Sequence, residues 1–97
     1  MSDKELLELA AKAAGIEFWE VGGNLFVAHG ETWNPLTDDG DALRLAVKLH
    51  TNLLFEQELS GWDVEAGSCG ENCKPDPYAA TRRAIVRATA AIGKDMP

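Results

Sequence analysis

By residue type, Cys69 and Cys73, with His29 and His50, are best suited to metal or thiol chemistry. Thiolates and imidazoles bind zinc, but a structural zinc takes four ligands, often from two cysteine pairs. Here a single C-x-x-x-C pair stands alone. The two histidines complete a Cys₂His₂ set only if the fold gathers them from spacings unlike those of a zinc finger. No cofactor or metal is expected, and Cys69 and Cys73 are the candidate ligands if one binds. In a reducing cytosol both are expected as free thiols, with a disulfide only under oxidising conditions. Lys74 beside Cys73 favours a thiolate, yet no second motif accompanies it as in a catalytic cysteine site. His50 falls at the end of an expected helix, where it suits the last carbonyls, and both histidines read as structural. Ser60 and Ser68 lie in loops without G-x-S-x-G context. Gly22-Gly23-Asn24 lacks the following helix and Lys-Ser/Thr of a phosphate loop. With no catalytic constellation, the chain reads as non-enzymatic.

The charged residues form two further sets. Asp38, Asp39 and Asp41 surround Gly40. A calcium-binding EF-hand needs alternating ligands and a glutamate at its twelfth position, which counted from Asp38 is Leu49. The acids instead suit a helix start, as caps and as partners of the positive dipole end. Arg82, Arg83 and Arg87 mark the solvent side of the last expected helix. These six residues are the candidate interaction residues. The formal net charge is −7, with nine acids but only Lys4 and Lys12 in residues 1–41, whereas residues 77–97 set Arg82, Arg83, Arg87 and Lys94 against Asp95. Overall acidity excludes general nucleic-acid binding, which needs cations to displace counterions, but leaves room for a basic protein partner. No apolar run is long enough to span a membrane. MSDKELLEL lacks the charged-then-apolar order of a signal peptide, so a cytosolic protein is expected.

The elements that position these residues follow from periodicity and caps. Ser2 and Glu5 make a capping box for a helix that ends at Gly15. Residues 16–28 read as a hairpin turning at Gly22-Gly23. Trp33-Asn34-Pro35 turns the chain into a helix capped by Thr37 or Asp38 and regular only after Gly40, with Leu43, Ala46, Val47 and His50 as its apolar stripe. Residues 52–58 and 62–66 read as two strands joined at Ser60-Gly61, the second blunting the sheet edge with Asp63 and Glu65. Residues 67–77 read as an irregular loop. Asp76-Pro77 then starts a helix that stops at Gly93. Adjacent apolar residues in the strands suggest cover on both faces. The expected fold is α+β, one domain over 1–97. It is a single-domain α-β-α sandwich of order α-β-β-α-β-β-α, with a four-stranded, mainly antiparallel sheet and helices on both faces. The aromatic residues are expected to supply its core, and exposure of Trp19 or Trp62 would favour an interface.

At WNPLTDDGDALRLAVKL and DPYAATRRAIVRA, and in the ELLELAAKAAG helix, the chain resembles the phage ABA sandwich domain family of small bacteriophage and prophage proteins. The resemblance implies a fold and a phage origin, and no activity. The expected function is therefore that of a phage or prophage accessory protein in the host bacterial cytosol. It would act by binding an unknown host or phage protein, as in inhibition of a host defence or regulatory protein through its acidic half. The alternatives are a small-molecule or metal-binding domain using the Cys69–Cys73 loop, or a self-associating homo-oligomer.

Overall fold

Helix α1 (Asp3–Ala14) begins where Ser2 Oγ accepts the Glu5 N–H at 3.2 Å, and it ends in a left-handed Gly15 at φ 68°. Gly15 N donates to Lys12 O and Ile16 N to Ala11 O, which closes the last turn. The computed structural model describes residues 1–27, 31–59 and 61–97. The readings made above for His29 and Ser60 lie outside these residues. Strands β1 (Trp19–Val21) and β2 (Asn24–Phe26) form an antiparallel hairpin in the register Trp19↔Phe26. Gly22 and Gly23 supply the two positive φ values its turn requires. Leu25 is buried, and Trp33 N donates to its carbonyl at 2.9 Å, tying the hairpin to the turn before the next helix.

Helix α2 (Asp39–Lys48) is capped by Asp38, whose carboxylate accepts the Asp41 N–H at 2.8 Å. Gly40 lies within its first turn, so the helix is regular earlier than expected. Its buried residues are Ala42, Leu45 and Ala46. Leu43 and Val47, expected in the core stripe, are 59% and 66% exposed. Both stripes have helical spacing in a segment apolar at six positions. Packing against its neighbours, α3 among them, selects the stripe with the smaller residues. His50 follows at φ 52°, with its N–H on Val47 O and Thr51 N on Ala46 O. It therefore acts through its backbone as a left-handed C-cap.

Strands β3 (Leu53–Glu58), β4 (Gly61–Ala66) and β5 (Cys69–Asn72) make a separate antiparallel sheet in that order. This corrects the expected fold: two small sheets replace one four-stranded sheet, and the order is α-β-β-α-β-β-β-α. The segment expected as an irregular loop turns at Gly67-Ser68 and returns as β5, with Ala66 opposite Cys69. Consequently β4 is central, and the exposed edge is β3. The hairpin β1–β2 is three residues long on each side, and its pairing with Thr32 is an isolated bridge, so it does not extend the larger sheet.

Helix α3 (Pro77–Lys94) starts at Asp76, which accepts from Tyr78 N at 2.9 Å and Ala79 N at 3.2 Å. It packs against α1, α2, β4 and β5 and buries residues around most of its circumference, from Ala80 to Gly93. Gly93 does not stop it. A Cβ there would lie 2.0 Å from the Leu9 carbonyl oxygen, so the glycine is the point where α1 and α3 touch backbone to backbone. Val64 and Ala66 are fully buried on the sheet face toward α3. Among the described residues no helix packs on the opposite face, so the expected cover on both sides is not found there.

Candidate functional site

The sheet has one strand too many for the helix that covers it. In the β3–β4 register Phe55 lies opposite Val64 and Leu53 opposite Ala66. Directly opposed residues share a face, so Leu53 and Phe55 point to the side of α3. Yet α3 lies over β4 and β5. Val64 is fully buried, while Phe55 is 50% exposed. Beyond Phe55 lies a groove of about 450 Å³. Its walls are Ala42 and Leu43 of α2 and Pro77, Tyr78 and Thr81 at the start of α3, with Arg82 and Asp39 at one end. Leu43, Tyr78, Val47 and Trp62 are all at least half exposed. Trp62 shares the β4 face of Val64, since alternate residues point the same way. Trp33 is buried and Trp19 is 48% exposed, so the aromatics divide between core and surface.

Among the described residues the outer edge of β3 pairs with no other strand. Gly67 N donates to Asn52 O across the ladder at 3.0 Å, and Cys73 N donates to Trp62 O at 2.9 Å. Antiparallel ladders alternate hydrogen-bonded and non-bonded pairs. Leu54, Glu56 and Glu58 therefore bond inward to β4. Leu53, Phe55 and Gln57 present their N–H and C=O groups outward. Among the described residues no strand pairs with that edge. The β5 side differs: Arg87 donates to Gly70 O at 3.0 Å and also pairs with Glu71.

The six charged candidates are largely engaged within the fold. Asp38 is the α2 cap, and Asp41 accepts from Asn34 N at 3.0 Å and from Arg44 at 2.7 Å. Arg82 donates to Leu36 O at 2.8 Å and to Asp39 at 2.6 Å, tying α3 to α2. Arg83 reaches Asp3 at 3.0 Å, and Arg87 reaches β5. The structure thus brings Asp39 and Arg82 together and sends Arg83 and Arg87 to two other elements. Each arginine clamps α3 to a different neighbour instead of joining one basic face. Exposed pairs of this kind contribute at most about 1 kcal/mol each.

Cys69 is half-buried and Cys73 buried, and both are free. They lie four residues apart on a chain still laddered to β4, which separates them by roughly 13 Å. That distance excludes a bridge between them without rearrangement. Among the described residues no group of three or more His, Cys, Asp or Glu side chains is placed to hold a metal ion. His50, Ser68 and Asp95 line one small pocket of about 320 Å³, but no hydrogen bond joins them. A larger cleft of about 700 Å³ runs between Ile16 and Trp33 on one side and Leu45 on the other. Its rim sets Glu17 and Glu31 against Arg44 and Lys48, leaving no charge of one sign. No helix is long and apolar enough to cross a membrane among the described residues.

Sequence reasoning missed the groove because it placed Leu43 and Val47 in the core. The signal was present: LLFEQE has adjacent apolar residues on both faces, and only one of those faces finds a helix. No protein-family model, curated protein or solved structure matches the chain.

Proposed function

We propose that the protein is a non-enzymatic phage or prophage accessory protein that acts in the cytosol by binding another protein, and that it binds through the β3 edge and the groove beside it. The observation that carries the binding part is the gathering of Leu43, Phe55 and Tyr78 around one groove, each half exposed or more, next to a strand edge that no other strand pairs with among the described residues. Small monomeric proteins rarely leave large contiguous apolar patches bare, and such patches mark interaction sites. Aromatic side chains also supply much of the energy at interface centres. The phage part rests on the resemblance at the three quoted segments alone. Inhibition of a host defence or regulatory protein is one form the binding would take. Asp39, paired with Arg82 at one end of the groove, has an exposed side chain and can contribute at its rim, and the exposed Asp38 precedes it in the chain.

The test is site-specific photo-crosslinking in bacterial lysate. A benzophenone side chain in place of Tyr78 should capture one discrete protein, whereas the same group in place of exposed Glu5 should not. Capture should vanish in the Leu43→Ser/Phe55→Ser double variant. Equal labelling from both positions, or none from Tyr78, contradicts the proposal.

A further inference from the structure

We infer that the occupant of the β3 edge is an extended segment of a partner protein, added as a fourth strand and alternating apolar with basic residues. The inference rests on the binding function proposed above and specifies the chemistry of what binds. It follows from the two faces that an added strand would meet. Successive side chains of a strand point to opposite faces. On the α3 side, one set would enter the groove against Phe55, Leu43 and Tyr78. On the other side, the second set would meet the open face of the sheet.

That open face is strongly acidic. Glu56 and Glu58 of β3 lie on it beside Leu54, with Asp63 and Glu65 of β4. Glu56 stands directly opposite Asp63 in the register, an arrangement that is unfavourable unless a cation intervenes. Asp63 accepts from Asn72 Nδ2 at 3.0 Å. Among the described residues none of the four carboxylates has an ion-pair partner within 4.0 Å. A nearby cation is Lys74, whose stem lies over Gly61 at the start of β4. Lysines or arginines of the incoming strand beside Glu56 and Glu58, two positions apart, would neutralise these carboxylates, while the outward N–H and C=O groups of Leu53, Phe55 and Gln57 completed the ladder. Strand addition takes its affinity from main-chain bonds and its specificity from alternate side chains.

The same charges argue against a second copy. Self-pairing of β3 would bring another Glu56 and Glu58 to the acidic face and join two chains of net charge −7. Like charges brought together across an interface suppress the wrong partner.

The experiment is an amide NMR titration of the intact chain with three synthetic probes. One peptide alternates valine and lysine. The second has the same composition with valines and lysines in separate blocks. The third is an amphipathic leucine–lysine helix. The alternating peptide should shift the amides of Leu53, Phe55 and Gln57 and bind about tenfold tighter than its block isomer. Binding should weaken about tenfold in the Glu56→Lys/Glu58→Lys variant, whose substitutions are exposed, and should weaken with salt. N-methylation of the peptide at alternate residues should abolish binding in one register and spare it in the other. Binding of the helical probe at Leu43 and Tyr78 without shifts at 53–57 would overturn strand addition and leave the groove as a binding site. No response to any probe would remove both readings. Shifts at 53–57 that grow with protein concentration alone would assign the edge to a second copy and overturn the inference.

Discussion

The seam between α1 and α3 and the outer edge of β3 are opposites. At the seam, two helices approach until Gly93 has no room for a methyl group beside the Leu9 carbonyl. Ala10, Ala11 and Ala90 are nearly or fully buried, and Asp3–Arg83 bridges the two helices on the surface. At the edge, Phe55 and Leu54 stand half exposed, and among the described residues alternate backbone groups have no strand to bond. The same helix produces both. By sitting tightly on α1 through small residues, α3 aligns over β4 and β5 and leaves β3 uncovered. Close packing concentrates stability in one part of the molecule and leaves an adhesive surface in another.

The sharpest way to break the comparison is Gly93→Ala. The added Cβ meets backbone, which cannot swing away, so a loss of about 3 kcal/mol or more is expected in denaturant unfolding. A loss under about 0.5 kcal/mol would show that the seam is looser than described. The cross-strand pair Val64↔Phe55 sharpens it next. Val64→Ala should cost about 2 kcal/mol, because it opens a cavity under α3. Phe55→Ala removes more atoms, yet it should cost only about 1 kcal/mol, because half of the ring is already in water. The reverse order would place Phe55 in the core. A smaller effect is expected at the turn that leads from α2 into β3. His50 holds φ 52°, where glycine is unstrained, so His50→Gly should raise stability by about 0.5 kcal/mol in the same assay.

The smallest effect concerns the hairpin, which α1 holds by the exposed Lys4–Glu20 pair at 2.6 Å. The hydrogen bond to Glu20, followed by its Coulomb attraction, raises the Lys4 pKa above the ordinary lysine value. A raised lysine pKa stabilises the fold below the unfolded-state value, and that contribution disappears as pH rises through the folded-state value. Titration of the Lys4 side-chain carbon signals should show a midpoint above that of an ordinary lysine, which falls toward the ordinary value in Glu20→Gln. An unchanged midpoint would mean the pair does not persist in solution.

The helices were legible in the sequence because their ends are local chemistry. Ser2, Asp38 and Asp76 cap as their positions imply, and Gly22-Gly23 makes the hairpin turn. The sheet arrangement was not, because strand partners are set by contacts distant in sequence. CGEN lacks the β-branched and aromatic residues that mark a strand, and it pairs because Gly67-Ser68 returns it against β4. Gly93 read as a stop signal because a helix-ending glycine and a helix-crossing glycine look alike until the second helix is placed. The choice between the Leu43–Val47 and Ala42–Leu45 stripes was hidden for the same reason, and with it the groove. Among the charged candidates, Asp38 was legible as a cap. The arginine clamps were not, since Asp39, Asp3 and Glu71 are far from their partners along the chain.

The central claim is that β3 is a free edge, and amide hydrogen exchange of the dilute protein tests it most directly. Leu54, Glu56 and Glu58 should be protected by the ladder to β4, and Leu53, Phe55 and Gln57 should exchange at rates close to those of an open chain. This alternation should not change on dilution. Uniform protection along all six residues would mean that the outer edge is already paired, and would contradict the account.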